Sequence, residues 1–114
     1  MRERHWMEKE VIFYQTREGK EPYKVWLYSL NDKILRQRIE TREHRIRNGN
    51  YGYHKRFYGI IELKLDYGKG YRIYCGEDGN KLVILLIGGD KASQDKDIKI
   101  AQKYWRDYNA HKKI

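Results

Sequence analysis

The sequence predicts a small α+β domain with a mostly antiparallel, twisted sheet of about four strands, two N-terminal helices and one C-terminal helix. Apolar residues recur at helical spacing in the first half and near the C-terminus. Between these regions, short β-rich segments are separated by glycine turns. The chain has 114 residues, a usual size for one domain, and it lacks a proline- or serine-rich linker. We therefore expect a single domain over residues 1–114.

The N-terminal half predicts one strand followed by two helices. Residues 8–15 contain a β-branched and aromatic run typical of a strand. After a turn at Gly19, Pro22 is placed for the first turn of a short helix. The expected apolar contacts of this helix are Val25, Trp26 and Leu30. Asn31 or Asp32 can then cap a second helix that ends near Arg47, before the left-handed cap expected at Gly49.

The second helix has three faces that differ in composition. Leu35, Ile39 and Ile46 form an apolar stripe. A mixed-charge face, expected in solvent, contains Arg36, Glu40, Glu43 and Arg47. A basic ridge contains Arg38, Arg42 and Arg45. The ridge is consistent with binding to RNA or an acidic partner, but also with arginine stems that cover the edge of the core.

The C-terminal half predicts strands at residues 55–58, 60–65, 71–75 and 81–88, then a helix. Asp78-Gly79 is a strong hairpin signal. The unbroken run LVILLI at residues 82–87 predicts a central strand covered on both faces. Ser93 or Asp95 can cap a final helix extending through Tyr108. Its inward positions are expected to be Ile98, Ala101, Trp105 and Tyr108.

The charge balance favours a polyanionic partner. The chain carries 25 Lys and Arg against 16 Asp and Glu, a net charge of +9. Its 14 % aromatic content favours RNA, because unpaired bases stack on aromatic rings. The alternative is a basic protein whose charge only provides solubility.

Residue usage predicts a cytoplasmic protein without a metal or other cofactor. The single Cys75 lies in an apolar stretch and is expected to be a reduced, buried thiol. Neither a membrane span nor a signal peptide is expected, because the longest apolar run is short and the N-terminus is charged. The spacing of the histidines does not suggest a metal site: His5, His44, His54 and His111.

The stretch ELKLDYGKGYRIYCG, residues 62–76, is the main candidate site. Side chains alternate along strands, so one face of this hairpin should carry Glu62, Lys64, Arg72 and Tyr74. An acid and two cations suit cleavage of RNA through a cyclic phosphate, with Glu62 as base and the cations on the phosphate. Tyr74 can stack on a base or donate a hydrogen bond. The alternative is a cross-strand ion-pair ladder on an exposed face.

Two further positions lie near this chemistry. Lys91 in GGDK follows the central strand, where backbone amides and a lysine can meet an anion; ordinary turn chemistry is the alternative. His54 in YHKRFY is either a proton carrier near the substrate or an exposed loop histidine.

Four segments carry a family resemblance: TREGKEPYKVWLYSLND, RIETREHRIRNGNYG, IIELKLDYGKGYRIY and LLIGGDKASQDKDIKIAQKYW. In this order and spacing, over about residues 16–108, they resemble the HigB-like addiction-module killer branch of the RelE/ParE toxin superfamily. The resemblance implies a compact RelE-like domain that acts as the toxin of a type II toxin–antitoxin system.

The implied activity is a metal-independent, ribosome-dependent mRNA endonuclease, or mRNA interferase, that inhibits translation. The implied partners are the ribosome, mRNA and a small helix-turn-helix antitoxin similar to HigA, with no membrane. Two alternatives remain: a ParE-like toxin that poisons DNA gyrase without cutting nucleic acid, and a simple RNA-binding module.

The resemblance also implies roles for individual residues. Arg72 matches an arginine that binds the scissile phosphate, and Glu62 occupies a strand position from which a base would act. Lys64 stands where this branch usually has arginine, which keeps the charge but loses the bidentate geometry. Lys91 completes the expected catalytic set. Those expected to bind RNA are Lys55, Arg56, Lys69 and Tyr74. The position of the acid near the final helix holds no tyrosine or histidine but Lys96, Asp97 and Ile98.

Overall fold

The computed structural model describes residues 8–112, which form the expected α+β fold. His5 lies outside the described residues. The first half contains β1 (Glu10–Phe13), α1 (Pro22–Ser29) and α2 (Lys33–Arg47). The second half contains β2 (His54–Phe57), β3 (Ile60–Lys64), β4 (Arg72–Asp78) and β5 (Leu82–Gly89), a 3-10 turn (Lys91–Ser93) and α3 (Gln94–His111).

The strands form one mixed sheet in the order β1-β5-β4-β3-β2, which corrects the expected sheet of about four strands. The pairs β2–β3, β3–β4 and β4–β5 are antiparallel, whereas β1 pairs in parallel with β5. The first two helices are therefore not an N-terminal unit, because they connect β1 to the rest of the sheet. The sequence did not predict that β1 joins this sheet, because β1 pairs with β5, which is distant along the chain. Sequence periodicity carries no signal for such a pairing.

The helices cover both faces of the sheet. One hydrophobic cluster joins α1 and α2 to β3, β4 and β5, and it includes Leu35, Ile39, Leu63 and Ile73. A second cluster joins α3 to the opposite face and includes Ile60, Tyr74, Ile84, Leu86 and Ala101. Alternate residues of β5 enter the two clusters, so the prediction of a central strand covered on both faces is confirmed.

Local signals place α1 and α2 as expected, whereas at the start of α3 the Ser93 side chain makes no cap hydrogen bond and the Ser93 amide instead donates to Asp90 Oδ1 at 3.2 Å. Pro22 begins α1, and the Asp32 side chain accepts a hydrogen bond from the Leu35 amide at 3.0 Å at the start of α2. The stripe of Leu35, Ile39 and Ile46 is fully buried. Val25 was wrongly expected in the core, since it is 66 % exposed. The buried residues of α1 are Tyr23 and Leu27.

Glu43 corrects the predicted solvated face of α2. It is buried, and the Tyr23 hydroxyl donates a hydrogen bond to its carboxylate at 2.6 Å. Burial raises the pKa of Glu43, although the Tyr23 hydrogen bond and nearby Arg47 oppose the rise. The sequence of this face is polar and predicts exposure. Glu43 is buried nevertheless, because Tyr23 of α1 supplies a hydrogen-bond donor to its carboxylate.

Cys75 is a buried free thiol, and its burial raises its pKa to about 12. Across residues 8–112, no helix combines the length and hydropathy needed to span a membrane. That same part of the chain contains no group of three or more His, Cys, Asp or Glu side chains arranged to hold a metal ion.

Candidate active site

The β3–β4 hairpin brings the predicted residues together. Glu62 lies directly opposite Tyr74, and Lys64 lies directly opposite Arg72. Lys55 of β2 is paired with Glu62 from the other side, so it belongs to the same row across the sheet. Directly opposed residues of antiparallel strands point to the same face, so the alternation predicted from sequence is confirmed for these positions.

This face is not the open surface expected of an ion-pair ladder. Tyr74 is fully buried, and Glu62 and Arg72 are 4 % and 7 % exposed, because α3 packs over this part of the sheet. The ring of Tyr74 is therefore unable to stack on a base, which corrects its predicted role in RNA binding. Lys64 and Lys55 remain exposed, and neither has an ion-pair partner among residues 8–112.

Two donors hold the carboxylate of Glu62. The Tyr74 hydroxyl donates to Glu62 Oε2 at 2.9 Å, and Gln94 Nε2 donates to the same oxygen at 3.0 Å. Burial, together with this hydrogen bond, raises the pKa of Tyr74, so the phenol stays protonated as a donor. Glu62 Oε1 has no hydrogen-bond partner within residues 8–112, which leaves it available to a ligand.

Gln94 is a site residue that the sequence did not indicate. It begins α3, where the pattern only suggested the start of a helix. Its contact with Glu62 depends on how α3 packs against β3, and no local motif encodes that packing.

Arg72 is buried with an unused donor. Its Nη1 donates to the Gly70 carbonyl at 2.6 Å, whereas its Nε is buried without a hydrogen-bond partner. Glu62 Oε2 lies 3.8 Å from this Nε, close enough for electrostatic attraction but too far for a hydrogen bond. A buried guanidinium donor without a partner is uncommon, and among residues 8–112 the same is true of Arg42 Nε.

Arg72 lines a cleft of about 500 Å³ at the turn of the hairpin. Three exposed lysines line it as well: Lys64, Lys69 and Lys91. The Lys91 amide donates to the Lys69 carbonyl at 3.1 Å, which ties the turn to the segment after β5. Four of the six predicted cations thus meet at one cleft, a geometry suited to a phosphate group, whereas Lys55 and Arg56 do not line it. We refer to it below as the Arg72 cleft.

Arg56 does not belong to this site. It neighbours Lys55 along β2, so its side chain points to the opposite face of the sheet, where Nη1 donates to Glu77 Oε1 at 2.7 Å. Arg56 also lowers the pKa of Glu77. Its predicted role in RNA binding is therefore not supported, since the ion pair already engages the guanidinium.

His54 begins β2 and is not in a loop as one interpretation expected. Its Nδ1 lies 2.7 Å from the Gly52 carbonyl. It is paired with Leu63, so it faces away from the Glu62 side of the sheet. This arrangement does not bring His54 to the Arg72 cleft.

Fold and site together define a small α+β protein with a basic cleft at one end of its sheet. The chain is 46 % identical over 78 residues to an uncharacterized protein of Haemophilus influenzae, an alignment that covers 68 % of this chain and 79 % of that protein. It belongs to the same family as that Haemophilus protein. No protein-family model matches the chain, and no solved structure matches it.

Proposed function

We propose that this protein is a HigB-like member of the RelE/ParE superfamily, the toxin of a type II toxin–antitoxin system, and cuts mRNA on the ribosome in the cytoplasm. The observation that carries the proposal is the orphaned Nε of Arg72 in a cleft lined by lysines, beside a buried carboxylate. A phosphate in the cleft would supply the acceptor that Arg72 lacks.

In the proposed reaction, the RNA 2′-oxygen attacks the adjacent phosphorus and the bond to the 5′-oxygen breaks. Glu62 Oε1 takes the proton of the 2′-hydroxyl, while Tyr74 and Gln94 fix the other oxygen of the carboxylate. Arg72 and the lysines stabilise the negative charge that builds on the phosphoryl oxygens. A solvent water protonates the departing 5′-oxygen, so the products are a 2′,3′-cyclic phosphate and a 5′-hydroxyl. The protein's own cations stabilise the developing charge, and the proposed reaction uses no metal or cofactor.

The proposed partners follow from the same surface. Exposed cations around the cleft favour binding to ribosomal and messenger RNA. A small HigA-like helix-turn-helix antitoxin would neutralise the protein by covering the basic face or by packing against the helices. The ribosome would orient the mRNA, so isolated RNA should be cut poorly.

The decisive experiment is induction of the protein in bacterial cells, followed by primer extension to map mRNA 5′ ends. We expect growth arrest and new, codon-phased 5′ ends, both lost in Arg72→Ala and Glu62→Gln. Arg106→Ala is the matched control, because Arg106 is exposed on α3 about three turns beyond Gln94. Coexpression of an adjacent helix-turn-helix gene product should restore growth.

Two outcomes would overturn the proposal. Growth arrest with intact mRNA and trapped gyrase–DNA complexes would indicate a ParE-like gyrase poison, which has no need of a base beside the cations. Normal growth with intact mRNA, despite expression of folded protein, would indicate a simple RNA-binding module.

A further inference from the structure

A second basic cleft adjoins the Arg72 cleft. It has a volume of about 480 Å³ and lies on the α2 side of the sheet end. Its lining residues are Arg42, Arg45, Gly52, Tyr53, Lys64 at the end of β3, and Asp66. Both clefts are lined by Lys64 and Asp66, so they meet at the end of β3. We refer to this second cleft as the Arg45 cleft.

The two arginines of the Arg45 cleft have different tasks. Arg42 donates to the carbonyls of Lys64, Tyr51 and Tyr53 at 2.7–3.0 Å, so it fixes the wall of the cleft. Arg45 is exposed, and its side chain has no hydrogen-bond or ion-pair partner among residues 8–112. Of the predicted basic ridge, therefore, Arg42 supports structure, whereas Arg45 is available to a ligand.

Tyr53 adds an aromatic surface to this cleft. It is 65 % exposed and makes no ring contact with the described residues, although large aromatic side chains are usually packed. An exposed aromatic ring beside a free arginine, next to a second basic cleft, is a combination suited to single-stranded nucleic acid. An acidic peptide would use the cations but would gain little from the ring.

We propose that the Arg45 cleft binds the single-stranded RNA that flanks the phosphate held in the Arg72 cleft. The backbone crosses from Arg72 past Lys64, Tyr53 stacks on a base, and Arg45 binds a second phosphate. Asp66 lies where the two clefts meet and weakens binding by repelling the backbone. This inference rests on the proposed function, because it assumes that RNA occupies the Arg72 cleft.

The test is fluorescence anisotropy with labelled 2′-O-methyl RNA, which lacks the nucleophilic hydroxyl and is not cut. A trinucleotide reaches only the Arg72 cleft, and a decanucleotide reaches both. We expect Arg45→Ala and Tyr53→Ala each to weaken decanucleotide binding about tenfold. Neither should change trinucleotide binding by more than about twofold, while Arg72→Ala should weaken both. Tyr53→Phe should keep wild-type affinity because it retains the ring.

Asp66→Asn gives a test of opposite sign, since removal of the carboxylate should tighten decanucleotide binding by about threefold. Gain of affinity is not a result that misfolding produces. Arg106→Ala is again the matched control for loss of a positive charge. Circular dichroism and thermal melting of each variant confirm that the fold is retained.

The outcomes separate the two proposals. If Arg72→Ala weakens binding but Arg45→Ala, Tyr53→Ala and Asp66→Asn leave it unchanged, the RNA path is wrong and the phosphate site stands. If Arg72→Ala also leaves binding unchanged, the proposed function fails as well. If a polyglutamate peptide of equal charge displaces the decanucleotide equally well, the Arg45 cleft is a surface for acidic protein, and the RNA assignment is overturned.

Discussion

At the scale of single residues, Arg72 depends on a geometry that lysine cannot reproduce. Its Nη1 is committed to the Gly70 carbonyl, and its Nε is the buried donor without a partner. A lysine at position 72 would keep the charge, but all its donors belong to a single nitrogen, so it could not take the places of both Nη1 and Nε.

We therefore predict that Arg72→Lys weakens binding of inorganic phosphate about tenfold, close to 1.4 kcal/mol. Isothermal titration calorimetry at low salt measures the affinity. Lys64→Arg is the companion variant. It adds a bidentate donor beside Arg72 and should bind phosphate at least as well as the wild type. Equal affinity in the wild type and Arg72→Lys would show that only charge matters at this position.

A second prediction at the residue scale concerns the buried Glu43. Its folded-state pKa is raised, so its contribution to stability is fully present below the unfolded pKa and is lost as the pH rises through the folded pKa. Glu43→Gln removes this titration. We expect the variant to gain stability relative to the wild type between pH 4 and pH 8, by about 1.4 kcal/mol for each pKa unit.

Urea unfolding at both pH values measures this difference. Glu40→Gln controls for loss of an exposed carboxylate on the same helix. A stability difference between Glu43→Gln and the wild type that is the same at pH 4 and pH 8 would contradict the prediction.

Sequence reasoning succeeded with the site where the information was local. Strand alternation was sufficient to place Glu62 with Tyr74 and Lys64 with Arg72, because the two-residue period is a property of the backbone. Burial could not be inferred, since the same alternation describes a face open to water and a face covered by a helix. The burial of Tyr74 and the contact of Gln94 with Glu62 were not predicted for this reason, because both depend on how α3 packs against the sheet.

At the scale of elements, two glycines allow helices on opposite faces to approach the sheet. A methyl group at Gly76 of β4 would overlap the indole of Trp105 from α3, and one at Gly88 of β5 would overlap that of Trp26 from α1. The sequence predicts that these glycines lie in a turn or at the end of a strand. Their role is to let an indole ring pack against bare backbone. The parallel pairing of β1 with β5 was invisible for a related reason, since it too joins distant parts of the chain.

We predict that Gly76→Ala destabilises the protein by about 1–3 kcal/mol, because the added methyl group overpacks the contact with α3. The backbone of Gly76 is not left-handed, so strain does not contribute. Urea unfolding measures the loss. In a double-mutant cycle with Trp105→Leu, the two changes together should cost less than their sum, because the smaller side chain removes the overlap. If the two losses of unfolding free energy were additive, the destabilisation by Gly76→Ala would not come from overlap with Trp105.

At the scale of the whole molecule, a net charge of +9 attracts any polyanion, but the structure concentrates free cations at one end of the sheet. Several other charges are neutralised by ion pairs, such as Arg56 with Glu77 and Lys112 with Asp78. If overall charge alone held a polyanion, every exposed cation would contribute equally to its binding. The two clefts predict that the cations that line them contribute more than the others.

The salt dependence of RNA binding distinguishes these two cases. For single strands, the logarithm of the binding constant falls with the logarithm of salt concentration by about 0.7 for each phosphate contacted. Four cations of the Arg72 cleft therefore predict a slope of about −3 for a short 2′-O-methyl RNA. Arg72→Ala should reduce its magnitude by about 0.7, and Arg106→Ala should leave it unchanged. Anisotropy titrations over a range of potassium chloride concentrations give the slope. If both variants reduced the magnitude of the slope equally, RNA would be bound by the overall charge of the protein. The Arg72 cleft would then not be a specific RNA-binding site.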